Sequence, residues 1–226
     1  MCLSLWANCI GKVSRLPKVL IEALPHEIIS QIDHPDAVDT CPECSGPTDN
    51  CPTPQLYSMS DRVSSETEVH TFLKALTMLI KPEYILETGT YKGNSTIAFA
   101  EGLRKNDYGH MTTLEIDEKL AKNAQALFAA HPVEVLNQSS LSFIPQIKID
   151  LLFLDSKRDL RSEEFTHFYP YLSERAIVIW HDSSFRERNH SVYDTVEALY
   201  EGGIIDRILF PTPRGLTLST LRQQKK

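Results

Sequence analysis

The sequence predicts an α/β fold: a doubly wound sheet of seven strands, mostly parallel, that ends in an antiparallel hairpin. Three observations predict it. Short apolar runs bounded by turn residues alternate with segments of helical periodicity through the C-terminal three quarters of the chain, the pattern of parallel strands covered on both faces by their crossover helices. Near the end, two strand-like runs, IIDRILF and GLTLSTL, are separated only by PTPR, which is too short for a crossover and forces an antiparallel pair. Finally, 226 residues with 42% hydrophobic composition can bury one core with a small appendage.

The elements follow in order. Residues 1–60 hold all five cysteines and the loop-like stretch HPDAVDTCPECSGPTDNCPTPQ, a Cys/Pro-rich N-terminal extension or lid ahead of a boundary near Ser60 and a main domain over 61–226. Ser65-Glu66-Thr67-Glu68 is a capping-box pattern opening a helix whose face carries Val69, Phe72, Leu73, Leu76 and Leu79. Next come strand YILET, a helix from Asn94, strand MTTLEI, helix DEKLAKNAQALF with Asp117 as its cap, strand VEVL and a short helix. Strand IDLLFLD, a helix around Glu163 to Leu172, strand AIVIWHD, helix VYDTVEALY and the hairpin complete the chain.

Charge and flanking segments narrow the partners. A formal net charge of -7, with a dense basic run only in the terminal RQQKK, leaves no footprint for nucleic acid and points to small molecules. The opening MCLSLWANCI lacks a charged leader before it and an A-x-A site after it, and no run reaches membrane-spanning length. A cytoplasmic protein is expected, in keeping with a main domain without cysteines; association with further copies of the chain is left open. Cys41 and Cys44 form a C-x₂-C pair that, with Cys51 and with His34 and His26 upstream, is a candidate but incomplete zinc site.

The stretch YILETGTYKGNS carries the strongest functional signal. Gly89 and Gly93 permit close backbone approach between a strand and a helix start, where Asn94 and Ser95 offer donors to an anion. A dinucleotide fingerprint would need glycine at positions 91 and 94, which are Tyr91 and Asn94 here, so a nicotinamide oxidoreductase is disfavoured. Glu115 closes the next strand, where a carboxylate accepts both hydroxyls of a ribose. An adenosine ligand with a compact anionic tail suits both signals, and S-adenosylmethionine (SAM) is such a molecule.

The ordered set LETGTYKGNS, TTLEID, VEVLNQSS, IDLLFLDS and IVIWHDSS resembles the class I SAM-dependent methyltransferases, which share a Rossmann-like fold, and in particular the branch of catechol O-methyltransferase and bacterial small-molecule O-methyltransferases. The resemblance covers roughly Ser60 to Leu221, including the terminal hairpin. It implies that Glu87, Gly89, Tyr91, Gly93 and Ser95 line the methionine end of SAM, that Glu115 holds the ribose, and that Ser139 and Ser156 lie near the adenine. It implies O-methylation of a small hydroxylated molecule, a secondary metabolite or sugar; N-methylation and SAM binding without catalysis are the alternatives.

The same resemblance places the reacting groups. In metal-dependent members, carboxylates after two neighbouring strands bind a divalent cation such as Mg²⁺ that acidifies the acceptor hydroxyl. The matching positions are Asp155 and Asp182, with Ser183 where relatives carry an amide ligand. The relatives' catalytic lysine aligns with Arg158, which cannot serve as a base but can orient an anion or form a surface pair with Asp159 or Glu163. His181 is the better base by its ordinary pKa, His167 a weaker one, and Trp180 and Phe185 are candidates to flank the substrate.

Overall fold

The computed structural model describes residues 51–61, 63–184 and 191–222, all within one compact unit, Asp36–Lys226. Among these residues the strands are β1 (Tyr84–Thr88), β2 (His110–Glu115), β3 (Val133–Asn137), β4 (Ile149–Leu154), β5 (Leu172–His181), β6 (Ile205–Phe210) and β7 (Leu216–Leu221). The helices are α1 (Thr67–Ile80), α2 (Asn94–Asn106), α3 (Glu118–Phe128), α4 (Arg161–Phe168) and α5 (Ser191–Glu201).

The strands form a single sheet in the order β3-β2-β1-β4-β5-β7-β6. Strands β1 to β5 pair in parallel, whereas β7 runs antiparallel to both β5 and β6. Strand order therefore reverses between β1 and β4, the place where an open parallel sheet leaves a crevice beyond its strand ends. Register aligns the walls of that crevice: Thr88 lies beside Leu154, Leu154 beside Trp180, and His181 beside Leu216. Because β7 is antiparallel, its beginning reaches the edge at which β1, β4 and β5 end.

Alternation along the strands builds the two layers of core. One face joins Ile85, Met111, Leu151, Phe153 and Ile179 to the apolar sides of α1 and α2. The other joins Leu86, Leu114, Leu152, Val178 and Trp180 to Phe165 and Phe168 of α4 and to Val192 and Val196 of α5. The period of two in each strand sends neighbouring residues to opposite layers, so the apolar runs fill both.

Three local expectations differ from the structure. Leu79 is exposed while Val69, Leu73 and Leu76 are buried; at this end of α1 it is Thr77 that faces α2, its carbonyl accepting from Asn106. Ser65 does not cap α1: the N-cap is Glu66 in an extended conformation with no side-chain cap bond, and the Ser65 hydroxyl meets His70 Nε2 at 2.8 Å instead. The helix expected up to Leu172 stops at Phe168 and tightens into a 3₁₀ turn over Tyr169–Tyr171, since Pro170 lacks the N–H that would continue it. Asp117 does cap α3, its carboxylate accepting the Leu120 N–H at 2.9 Å. Among the described residues no helix is long and apolar enough to cross a membrane.

Candidate active site

The turn after β1 brings three strand ends together. Gly89 adopts φ +87°, and a Cβ there would sit 2.7 Å from the Asp155 carbonyl oxygen, so only glycine lets the ends of β1 and β4 close up. Gly93 is the left-handed N-cap of α2, with no side-chain cap bond, and a Cβ there would meet the Phe128 ring at 2.7 Å. The helix start thus presents uncapped N–H groups beside Asn94 and Ser95, both of which line a cleft of about 290 Å³ over the strand ends.

Glu115, at the end of β2, grips the same turn from the side. Its carboxylate accepts the Tyr91 N–H at 2.8 Å and the Asp117 N–H at 2.9 Å. Two backbone bonds orient the group and leave acceptor capacity for a pair of ribose hydroxyls. The uncapped helix start lines the cleft, and Glu115, 7% exposed and outside that lining, stands across the turn from it, an arrangement that suits an anionic tail and a ribose.

Glu87 has a different place from the one the resemblance implies. It is fully buried beneath the turn, where it accepts hydroxyl bonds from Ser95 at 2.6 Å, Thr96 at 2.5 Å and Thr113 at 2.6 Å. Burial raises its pKa to about 7 against the lowering effect of these hydroxyls. Its bonds hold the start of α2 to β1 and β2 beneath the turn. Glu164 does a similar job on the other side, accepting the hydroxyls of Thr88, Ser140 and Ser156 at 3.0, 2.5 and 2.8 Å. Ser156 therefore both lines the cleft and braces α4, while it is Ser140, next to the expected Ser139, whose hydroxyl enters this cluster.

At the ends of β4 and β5 the carboxylates meet cations. Asp182, in the left-handed region at φ 56°, accepts from Arg158 at 3.1 Å, Arg214 Nε at 2.8 Å and Arg161 at 2.9 Å. Burial opposes its charge, but His181 and the three arginines hold its carboxyl well below the usual carboxylate range. Asp155 accepts from Arg161 at 3.1 Å and from His181 Nδ1 at 2.9 Å. The other ring nitrogen of His181 contacts Glu66 at 3.0 Å, and Arg161 also donates to the His181 carbonyl. Although burial disfavours an imidazolium, Asp155 and Asp182 outweigh it and lift the His181 pKa to about 10. With both ring nitrogens on carboxylates and 1% of the residue exposed, His181 lies beneath the cleft and not among the residues that line it.

This donor set does not fit a divalent cation. Asp155, His181 and Asp182 bring ligand atoms within 4.8 Å of one another, but both His181 nitrogens, both Asp182 oxygens and Oδ1 of Asp155 are engaged, and an added cation would face the guanidinium groups of Arg158, Arg161 and Arg214. The third expected ligand points elsewhere: the Ser183 hydroxyl bonds the Trp180 carbonyl at 3.2 Å and Thr217 Oγ1 at 2.7 Å within the sheet.

Of the residues singled out in the sequence, Gly89, Tyr91, Ser95, Asp155, Ser156, Arg158 and Asp182 line one cleft. Trp180 is core, fully buried with its indole N–H on Ser219 at 2.8 Å. His167 bonds the Phe143 carbonyl at 2.8 Å and packs on Phe168. Phe185, Cys41, Cys44, His34 and His26 lie outside the described residues, and Cys51 is buried. Sequence reasoning missed Arg161, Arg214 and Glu66. Arg214 had a legible signal, since it ends the turn leading into the strand beside β5. Glu66 was hidden in an apparent capping box.

Comparison with known proteins agrees with this geometry. Residues 86–183 match the family model for a methyltransferase domain. Over 146 residues the chain is 27% identical to the O-methyltransferase hkm8 of Aspergillus hancockii, covering 60% of this chain and 57% of that protein. Over 104 residues it is 33% identical to a catechol O-methyltransferase of Niastella koreensis, covering 42% of this chain and 46% of that protein. The matched region thus spans about half the length of each relative. The SAH-bound methyltransferase PaMTH1 of Podospora anserina shares the fold with a TM-score of 0.62 at 16% identity, over 95% of this chain and 100% of that one. From the middle of β1 to Ser183 the chain is thus similar to a methyltransferase domain, and its sheet with the antiparallel β7 has the fold of solved methyltransferases.

Proposed function

We propose that the protein transfers the methyl group of SAM to an oxygen of a small molecule. The observation that carries this reading is the pairing of the uncapped α2 start with Glu115 across the turn at residues 89–93. Bound SAM supplies an electrophilic methyl group on a sulfonium, and in-line displacement then needs alignment and exclusion of water more than covalent help. The α2 N–H groups hold the carboxylate tail and Glu115 the ribose, which directs the methyl toward the ends of β4 and β5. There Arg158, Asp155 and Asp182 form the acceptor side. The acceptor is a small molecule, in keeping with an acidic chain that has no basic footprint, and the proposed compartment is the cytoplasm.

Calorimetry tests the reading. SAH is expected to bind and NAD not to, and Glu115→Ala to weaken SAH binding roughly 10- to 100-fold, in line with charge-assisted bonds of about 1.5–3 kcal/mol. Preferential binding of NAD would overturn it.

A further inference from the structure

Five cationic side chains, Lys92, Lys157, Arg158, Arg161 and Arg214, line the cleft against two carboxylates, Asp155 and Asp182. Lys92 is offset by Asp61 at its side, and the arginines gather at the ends of β4 and β5 around Asp155 and Asp182. Two of the arginines lie outside the quoted motifs and are nearly buried, with side-chain exposures of 2% for Arg161 and 10% for Arg214. Arg214 is locked further by the carbonyls of Val63 and Ser64 at 2.6 and 3.0 Å. Arg158 is the most open of the three at 24%.

Among the described residues, no histidine or lysine is placed to deprotonate an alcohol or phenol in the cleft. Among the described residues no histidine lines it; His181 lies beneath with both ring nitrogens on carboxylates. Lys92 is tied to Asp61 at 2.8 Å, and Lys157 is exposed, without the burial through which a lysine becomes a base. The oxygens of Asp182 are occupied by three guanidinium groups, and the place of an activating cation is taken by Arg161.

We infer that the acceptor is a carboxylate, held by Arg158 at the ends of β4 and β5 and methylated to its ester without a divalent cation. A carboxylate arrives already ionised, and its planar pair of oxygens matches the guanidinium fork. One carboxylate oxygen attacks the methyl carbon as the bond from that carbon to sulfur breaks. The electron pair goes to sulfur, SAH leaves as a neutral thioether, and no proton has to be moved. This inference rests on the SAM reading, so SAH binding is measured separately: its absence sinks both, whereas its presence leaves the acceptor question to the experiment that follows.

The probes are benzoate with benzyl alcohol, and 3,4-dihydroxybenzoate, which offers a carboxylate and a catechol in one molecule. With SAM labelled in its methyl group and EDTA present, the expected product is an ester whose label is released as volatile methanol by alkali. A label stable to alkali, or turnover that EDTA abolishes and Mg²⁺ restores, overturns the inference. Binding to SAH-saturated protein is read in parallel: benzoate is expected to bind at least 10-fold more tightly than benzyl alcohol. Arg158→Gln is expected to remove that preference and to raise KM for the acid at least 10-fold with SAH affinity unchanged, and Arg158→Lys to restore part of it. Equal binding of acid and alcohol to the wild-type protein, or a preference untouched by Arg158→Gln, overturns it even where no turnover is seen.

Discussion

The two halves of the cleft treat buried carboxylates in opposite ways. Under the cofactor half, Glu87 and Glu164 are satisfied by neutral hydroxyls and Glu115 by backbone N–H groups. On the acceptor half, Asp155 and Asp182 are satisfied by guanidinium groups and an imidazolium. At Glu87 the three neutral donors do not cancel the burial penalty of a full charge, and its pKa rises to about 7. Cationic donors more than cancel it, so Asp182 is held low. The difference teaches that carboxylates after neighbouring strands of one sheet serve different ends. One set braces the turn after β1, and the other anchors fixed cations at the ends of β4 and β5, the proposed acceptor side.

The most severe way to break the comparison is to remove the buried cation. Arg161→Met leaves Asp155 and Asp182 short of their shared partner and is expected to destabilise the protein by about 3–5 kcal/mol, read as a fall in the urea midpoint. A change within error would mean that the acceptor half is held together as the cofactor half is, by neutral bonds.

Glu87 sharpens the contrast through pH. Its folded pKa of about 7 lies above the ordinary 4.5, so between these values the folded protein binds a proton that the unfolded chain releases. Stability therefore falls as pH rises through that window, by up to about 3 kcal/mol, and is not altered by this group below it. Glu87→Gln is expected to flatten this slope in urea titrations at pH 5 and pH 8; an unchanged slope would refute the assignment. The smallest effect is expected from Thr96→Val, which withdraws one hydroxyl from Glu87. It should lower stability by about 1–2 kcal/mol at pH 8 and by less at pH 5, where the carboxyl is protonated and needs the donor less.

What was legible in the sequence was local. Strand and helix periodicity, the turn in YILETGTYKGNS, the Asp117 cap and the hairpin forced by PTPR each depend on neighbours a few residues apart, and each appears in the structure. Glu115 was legible as the acid that closes β2, but not its two bonds to the Tyr91 and Asp117 N–H groups. The Glu87 assignment was misplaced because adjacent residues of a strand point to opposite sides, and nothing in the run ETG says which side is the ligand's.

The sequence by itself determined the sheet, its crossovers and the position of a cofactor turn, because backbone conformation follows from short-range patterns of apolar, turn and capping residues. Only the tertiary structure decided the chemistry of the acceptor side. There Glu66 meets His181 and the Arg214 backbone, partners 115 and 148 residues away along the chain, and Arg161 and Arg214 converge on Asp182 from 21 and 32 residues away. The charge state of such a group depends on burial and on the sum of nearby charges, quantities that do not exist until the strand ends are side by side.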